Sequence, residues 1–258
     1  MSAKPLEGIR VLTLEQFGAG PYGTMFLAEL GAEVIKIEAP DGDPSRHVGP
    51  YKLGVADSEY FQAWNLGKKS VTVDIKSADG RRQFEALVRT ADCVVNNLRG
   101  TQPARLGIDY ASLKHLKPSI VCLHISAYGR ANERKDWPGY DFLMQAETGL
   151  MELTGEPDGP PTRVGVSMID SMSGLTGIVG LLSCLLRART TGQGCDVGVT
   201  GYERRKELVA RLESVLQPKM REVVVRLGAA DLAEVDEPRV PAVLVEDRRD
   251  VEISVRET

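Results

Sequence analysis

The chain has few of the residues that carry metal and redox chemistry, with three histidines and four cysteines among 258 residues. His47, His115 and His124 do not have the spacing of metal ligands, so the sequence predicts no metal site. No two cysteines form a C-x-x-C pair, which argues against a zinc or thiol–disulfide motif. Most of the cysteines lie in or beside apolar runs, and we expect buried, reduced thiols.

The chain also lacks a strong charge of one sign and long apolar runs. A formal net charge of -4 leaves no electrostatic footprint for nucleic acid. The N-terminal residues MSAKPLEG do not resemble a signal peptide. The longest apolar run, Ile178–Leu186, is too short to span a bilayer. We therefore expect a soluble, cytoplasmic protein with neither a nucleic acid nor a membrane as partner.

Two common catalytic motifs are missing as well. No G-x-S-x-G occurs, and the GVSMI stretch around Ser167 departs from it, which argues against a serine hydrolase. The stretches GDPSRHVG and NLGKKSV lack the G-x-x-x-x-G-K of a P-loop. His124 alternates within an apparent strand, so we interpret it as a hydrogen-bonded core residue.

Short apolar segments alternate with helical patterns along the first 200 residues. Strands rich in Val or Ile are predicted at Arg10–Leu14, Val34–Glu38, Ser70–Asp74, Cys93–Asn96 and Ile120–Ile125. Helices are predicted at Tyr22–Leu30, Ala78–Thr90, more loosely Pro103–Lys114, and through the stretch SGLTGIVGLLSCLLRART. This order predicts an α/β fold with a doubly wound, mostly parallel, Rossmann-like sheet. Such sheets bind ligands at the carboxyl ends of their strands.

The texture of the sequence changes near Thr200. The stretch that follows is typical of two charged amphipathic helices broken at Pro218, and the last 19 residues of one or two charged strands. We therefore divide the chain into a large domain, residues 1–200, and an incomplete second domain, residues 201–258.

The stretch GAGPYG, Gly18–Gly23, matches the G-x-G-x-x-G fingerprint of dinucleotide-binding proteins, and Glu38 lies about 20 residues further on. An NAD enzyme is therefore one hypothesis. Three residues separate the predicted strand from the first glycine, whereas the fingerprint places the turn directly after the strand. This spacing weakens the hypothesis.

Asp170 lies between an apolar, strand-like run and a predicted helix start. Aspartate is a favoured N-cap, which gives it a structural interpretation. The alternative is a nucleophile that the helix N-terminus keeps ionised. The pattern alone leaves both open.

Several collinear segments between residue 5 and about residue 199 resemble the family III CoA-transferases of the CaiB/BaiF type. They include LEGIRVLTLEQFGAGPYGTMFLAELGAEVIKIEAPDGDPSR, NLGKKSVTVDIKSADGRR, GYDFLMQAETGLMELTGEPDGPPTRVGVSMIDSMSG and RARTTGQG. The family includes formyl-CoA and carnitine CoA-transferases and is related to α-methylacyl-CoA racemase. The resemblance implies a CoA-binding large domain and two interlocked subunits.

The resemblance also implies a mechanism. The carboxylate of Asp170 attacks an acyl-CoA, and aspartyl anhydride and aspartyl-CoA thioester intermediates pass CoA to a small carboxylic acid. Tyr140 and Gly18 stand at active-site positions of the family. Acyl-CoA is then a substrate, with no metal and no NAD. We expect Phe17 and Gly18 to lie near the reacting end of the ligand, which leaves Glu38 without an assigned role.

Seven residues stand where the family contacts CoA. Lys76 and Arg105 are of the type that binds phosphate or adenine edges. The full predicted set is Phe17, Val73, Lys76, Asn97, Leu98, Arg105 and Leu106.

The chain departs from the formyl-CoA enzymes at three positions. Ala39 replaces an arginine, Pro138 a lysine and Gly18 a glutamine, which argues against formyl-CoA and oxalate as the substrates. Tyr140 stands where the racemases have a catalytic histidine, and the ordinary tyrosine pKa of about 10 favours a transferase over a racemase. Family members are longer than this chain, so a truncated, non-catalytic CoA-binding protein remains the other alternative.

Overall fold

A computed structural model of the chain describes residues 3–156 and 158–201, together with the backbone of residues 244–246 and 251–252. The strands are β1 (Arg10–Leu14), β2 (Glu33–Glu38), β3 (Lys52–Gly54), β4 (Asp57–Ser58), β5 (Lys69–Thr72), β6 (Cys93–Asn96), β7 (Val121–Ser126), β8 (Cys195–Thr200), β9 (Leu244–Glu246) and β10 (Val251–Glu252). The α-helices are α1 (Ala19–Glu29), α2 (Glu59–Asn65), α3 (Ala78–Val88), α4 (Gln102–Arg105), α5 (Tyr110–Leu113), α6 (Asp141–Glu147) and α7 (Met168–Thr191). Two short 3-10 helices span Pro44–His47 and Leu150–Leu153.

The main sheet has six parallel strands in the order β8–β7–β6–β1–β2–β5. At the β8 edge, β9 and β10 continue it as antiparallel strands. This topology confirms the predicted doubly wound, mostly parallel α/β sheet. The chain leaves β1 toward β2 and β5, and then crosses back to β6 on the other side of β1. Strand order therefore reverses between β1 and β6, and a crevice at the carboxyl ends of the strands is expected there.

The central strands β1, β6 and β7 are buried on both faces, as in a parallel sheet covered by helices. Successive residues of one strand face opposite sides, so Val11 of β1 belongs to one apolar cluster and Leu12 to the other. Leu181 of α7 packs in the first cluster, and Phe84 of α3 packs in the second. The two clusters together hold the strands in place between the two helical layers.

Glycines let α1 and α7 touch backbone to backbone. A Cβ on Gly174 would lie 2.5 Å from the carbonyl oxygen of Ala19, and a Cβ on Gly23 would lie 2.8 Å from the carbonyl oxygen of Gly174. Neither position has room for a side chain, since real Cβ atoms do not approach backbone oxygens this closely. This crossing brings the first turn of α7 against the first turn of α1, and it therefore positions Asp170.

The strands predicted at Arg10–Leu14 and Cys93–Asn96 match β1 and β6 residue for residue. The loose helix predicted at Pro103–Lys114 consists of two one-turn helices, because Gly107 between them has a φ of +62°. The apolar run before Asp170 is not a strand: α7 already begins at Met168 and is longer than predicted.

The two amphipathic helices predicted around Pro218 lie outside the described residues. The strands predicted near the end of the chain correspond to β9 and β10, which join the sheet of the large domain. The division at residue 200 stays a prediction.

The longest helix among the described residues is α7. By length and composition α7 could span a membrane, with a mean hydropathy of 1.6 over one window of 18 residues. The apolar run considered from the sequence, Ile178–Leu186, is a shorter part of this helix. The helix packs against α1, β7 and β8, and half of that window is buried, as in a core helix. The four cysteines, Cys93, Cys122, Cys184 and Cys195, are buried and free.

Candidate functional site

A cavity of about 80 Å³ opens at the carboxyl edge of the sheet, where the strand order reverses. Asn97 after β6, Ser126 at the end of β7 and Ala19 at the start of α1 line it. Asp170 and Tyr140, two of the predicted catalytic residues, also line it. The structure thus brings together residues from five separate segments of the sequence.

Asp170 lies in the first turn of α7, three residues after the N-cap Ser167, so it is not the N-cap itself. Its backbone N–H donates a hydrogen bond of 3.0 Å to Oδ2 of Asp141. Burial raises the pKa of Asp170, and the charge of Asp141 raises it further, to about 7. The free N–H groups of a helix N-terminus favour the ionised form and oppose this rise. The result is a poorly solvated carboxylate that titrates near neutral pH, which is typical of reactive groups.

Gln145 holds the segment that carries Asp170. Its side chain is fully buried, and its Nε2 donates to Asp141 Oδ1 and to the carbonyl oxygen of Val166, the latter at 3.2 Å. The backbone N–H of Val164 donates to Gln145 Oε1 at 3.0 Å. One side chain therefore fixes Asp141, and also the loop that leads into α7.

Gly18 faces the carboxylate of Asp170 directly. A Cβ on Gly18 would overlap Asp170 Oδ2 and lie 3.0 Å from its Cγ. The preceding residue, Phe17, has a φ of 59° and is the one non-glycine with positive φ among the residues that the structure describes. Such a backbone is unusual for a bulky residue and is found most often where the surroundings enforce it.

Asn97 helps to hold Phe17 in this conformation, because it bonds to the backbone of the preceding residue, Gln16. Its Oδ1 accepts a hydrogen bond of 2.9 Å from the backbone N–H of Gln16, and its Nδ2 donates one of 2.6 Å to the carbonyl oxygen of Gln16. Asn97 was predicted to contact CoA. That contact stays a prediction: the amide is bonded to the loop between β1 and α1, and the residue also lines the cavity.

Two buried lysines form a second brace under the same loop. Lys68 Nζ pairs with Glu15 Oε1 at 2.8 Å and donates to the carbonyl oxygen of Pro21 at 2.9 Å. Lys36 Nζ pairs with Asp43 Oδ2 at 2.8 Å and donates to the carbonyl oxygen of Glu15 at 2.6 Å. Because breaking a buried ion pair is costly, these contacts hold the β1–α1 loop rigidly.

Glu38, whose role the sequence left open, is also part of this framework. Both of its carboxylate oxygens accept hydrogen bonds from Arg46, at 2.8 and 2.7 Å, and Ser70 and the backbone N–H of Asp43 donate as well. Burial on its own raises the pKa of Glu38, but these donors outweigh burial and lower it to about 2. Glu38 is therefore a structural carboxylate that anchors the turn after β2.

The other predicted CoA contacts lie in two environments. Val73 is buried in the apolar cluster of α3, and Leu98 and Leu106 pack against that cluster. Lys76, which follows β5, and Arg105, in α4, are exposed to solvent. Of the seven predicted CoA contacts, only Asn97 lines the cavity around Asp170.

Two residues near Asp170 were not singled out by the sequence. Asp141 directly follows Tyr140 at the start of α6. Its place beside this candidate catalytic tyrosine is the one feature of the sequence that could have pointed to it. Burial raises the pKa of Tyr60, and the carboxylates of Asp170, Asp43 and Asp141 raise it further. Tyr60 therefore keeps its proton in the field of Asp170 and is a candidate hydrogen-bond donor.

His124 is hydrogen-bonded within the core, as predicted. Its Nδ1 lies 2.8 Å from Asn96 Nδ2, and its Nε2 lies 2.8 Å from Asp196 Oδ1. Since Asn96 Nδ2 is a donor, His124 carries its proton on Nε2 and donates to Asp196. Across the described ranges, no cluster of three or more His, Cys, Asp or Glu side chains could hold a metal ion.

The fold and the sequence both match known proteins. The model of "CoA-transferase family III" matches residues 6–230. The chain is 39% identical over 212 residues to succinate–glutarate CoA-transferase of Agrobacterium fabrum, covering 80% of this chain and 53% of that protein. It is 38% identical over 202 residues to acetyl-CoA:oxalate CoA-transferase of Acetobacter aceti, covering 77% and 51%.

A crystal structure of a CAIB/BAIF family protein from Brucella suis has a TM-score of 0.77 and 31% identity, over 93% of this chain and 61% of that one. The chain spans about half the length of the curated relatives named above. The match nevertheless runs from β1 through β8 and includes every residue that lines the cavity. The chain therefore belongs to CoA-transferase family III, as its resemblance to that family predicted.

Proposed function

We propose that this chain transfers CoA from an acyl-CoA donor to a small carboxylic acid, with Asp170 as the nucleophile. The observation that carries this proposal is the position of Asp170, half-buried in a cavity at the switch point of the sheet and in contact with Gly18. A buried carboxylate with a raised pKa is more reactive than one in water, and no other carboxylate lines this cavity among the described residues.

The reaction begins when an Asp170 oxygen attacks the thioester carbonyl carbon of the donor. The C–S bond breaks, CoA leaves as the thiolate, and a mixed anhydride remains on Asp170. The thiolate then attacks the Asp170 carbonyl carbon, which releases the donor acid and forms an aspartyl-CoA thioester. Splitting the exchange into covalent steps lowers each barrier.

The acceptor acid completes the cycle. Its carboxylate attacks the aspartyl-CoA carbonyl carbon, the thiolate leaves again, and a second anhydride forms. The thiolate attacks the acceptor's carbonyl carbon, which yields the new acyl-CoA and frees the Asp170 carboxylate. No net proton or electron transfer is required.

The remaining site residues have supporting roles in the proposal. Tyr140 lines the cavity at the N-terminus of α6 and is a donor for an acyl oxygen. Lys76 and Arg105, exposed near the strand ends, would contact phosphates of CoA, and Phe17, Val73, Leu98 and Leu106 would contact its apolar parts. Asn97 keeps the β1–α1 loop in place against Asp170.

The substrates and the assembly are also part of the proposal. The names of the relatives include succinate, glutarate and oxalate, which supports short carboxylic acids as donors and acceptors. The departures at Ala39 and Pro138 favour succinate or glutarate over oxalate. We also expect a homodimer in the cytoplasm. Size-exclusion chromatography with light scattering would measure the oligomeric state.

The experiment is a search for the covalent intermediate. The full chain is incubated with succinyl-CoA and glutarate, and glutaryl-CoA is measured by chromatography. In parallel, the reaction is quenched with hydroxylamine, and the mass of the peptide containing Asp170 is determined. We expect a hydroxamate on Asp170 and new glutaryl-CoA.

Two variants make the result specific. Asp170→Asn removes the nucleophile and should abolish both signals, whereas Asp158→Asn, at an exposed position, should leave both unchanged. A folded wild-type chain that binds CoA without forming an adduct would instead be a non-catalytic CoA-binding protein. Uptake of deuterium at the α-carbon of a 2-methylacyl-CoA would indicate a racemase.

A further inference from the structure

One hydroxyl next to Asp170 has no partner. Ser173 is 2% exposed, and its Oγ is buried without a hydrogen bond to any of the described residues. A serine in a helix ordinarily bonds to the carbonyl oxygen one turn earlier, as Ser171 does with Ser167 O at 2.8 Å and Ser183 with Val179 O at 2.8 Å. Ser173 does not make this bond.

The position of Ser173 places it at the inner wall of the cavity. It lies one turn after Asp170 on α7, and both residues line the cavity. One turn further, a Cβ on Gly177 would meet Leu123 at 3.1 Å and Ile125 at 3.3 Å, so this side of α7 faces β7. Ser173 therefore lies deeper than Asp170, which is half-buried.

A buried hydroxyl without a partner destabilises a folded protein, so each such group calls for a physical explanation. Thr13 and Ser45 also have unpaired hydroxyls, but neither lines the cavity. Ser173 differs because a ligand atom can reach it. The rest of the inner wall includes the apolar side chains of Ile125 and Ile169, which carry no hydrogen-bond donor. Ser126 Oγ, in contrast, already accepts a hydrogen bond of 3.1 Å from the backbone N–H of Gly129.

We propose that Ser173 Oγ–H donates a hydrogen bond to an oxygen of the short acyl or carboxylate group held in this cavity, and that Ser173 thereby determines specificity. The nature of the ligand rests on the function proposed above. The hydroxyl is neutral, so it favours an acid or acyl group whose oxygen reaches the inner wall over a purely hydrocarbon chain of the same length. Removing it should weaken binding of the polar ligand and relieve an unfavourable burial in the free protein.

The test compares Ser173→Ala with Ser171→Ala in the full chain. Binding of ¹³C-labelled succinate is followed by NMR titration, and stability is followed by urea unfolding without ligand. Loss of one hydrogen bond to a charged carboxylate should weaken succinate binding by about 10- to 100-fold in Ser173→Ala. Its unfolding midpoint should equal or exceed that of the wild type. Ser171→Ala should bind succinate as the wild type does.

Three results would overturn the inference. The first is an unchanged dissociation constant in Ser173→Ala, and the second is no succinate binding by the wild type. The third is a lower unfolding midpoint in Ser173→Ala, which would show that the hydroxyl has a structural partner instead. Because these measurements need no turnover, absence of an Asp170 adduct in the wild type would count against the proposed function alone.

Discussion

The Cα of Gly18 lies directly against the carboxylate of Asp170, so closely that a Cβ at this position would overlap Oδ2. The two residues are 152 positions apart and meet because α1 and α7 cross through their glycines. The contact leaves one face of the carboxylate next to bare backbone.

Gly18→Ala should strongly slow adduct formation on Asp170. The added methyl must displace the carboxylate or the loop, and a misplacement of about 1 Å near reacting atoms costs roughly 100-fold in rate. Gly165→Ala is the matched control, since a Cβ there meets nothing within 4 Å. The rate of hydroxamate formation on Asp170 measures both variants. Equal rates in Gly18→Ala and the wild type would refute the role of this contact.

Asp141→Asn should shift the pH dependence of Asp170 toward lower pH. The pKa of Asp170 is raised to about 7, first by burial and then by the Asp141 charge, and the nucleophile must be ionised. The rate of adduct formation in the wild type should therefore rise with pH through about 7. Removing the negative charge lowers the midpoint but leaves the effect of burial, while the asparagine oxygen still accepts from the Asp170 N–H.

The measurement is the pH profile of adduct formation under conditions where both proteins are folded. Asp158→Asn provides a variant with the same change of charge at an exposed site. A midpoint identical in Asp141→Asn and the wild type would mean that burial alone sets the pKa of Asp170.

Glu38→Gln should destabilise the protein at neutral pH and much less in acid. The pKa of Glu38 is lowered from 4.5 to about 2, so its contribution to the free energy of unfolding is present above pH 4.5 and is lost as the pH falls toward 2. With the shift that this pKa implies, the full contribution is about 3 kcal/mol. The side chain is 4% exposed, so screening by solvent is small.

Urea unfolding of Glu38→Gln and the wild type at pH 7 and pH 3 measures this difference. The gap between the two proteins in free energy of unfolding should be smaller at pH 3 than at pH 7. Glu7→Gln, at an exposed position, should show no gap at either pH. A gap that stays constant would indicate that Glu38 acts through packing rather than through its charge.

Gly174→Ala should destabilise the protein more than Gly177→Ala does, although both glycines are buried in α7. A methyl on Gly174 meets the carbonyl oxygen of Ala19 at 2.5 Å, which is backbone, whereas a methyl on Gly177 meets side-chain ends of Leu123 and Ile125 that can move. Overpacking against backbone costs about 1–3 kcal/mol, and the better helix propensity of alanine offsets up to roughly 1 kcal/mol in both variants. Thermal unfolding measures the order, and the reverse order would contradict the helix crossing described here.

The sheet was largely predictable, because its strands are short, apolar and separated by clear helical patterns. β1 and β6 could be read to the residue, and the resemblance to a family supplied Asp170. The roles of Asp141 and Gln145 could not be predicted, since they depend on α6 meeting the start of α7. The same holds for Lys68, whose partner Glu15 is 53 residues away. Pairing at such separations leaves no periodic signal in the sequence.

The order of the strands also has a consequence for how the chain folds during synthesis. The central strand β1 pairs on one side with β6. Asp92, directly before β6, accepts a hydrogen bond from the backbone N–H of Arg10, which is 82 residues earlier in the chain. β7 gains its outer partner only when β8 has been made, at Thr200. Long-range parallel pairing is slow to form, and an unpaired strand edge invites association with other chains. If synthesis pauses or ends before residue 200, β7 is therefore left as an unpaired edge strand that can associate with other chains. We expect chaperones to bind the chain mainly at that stage.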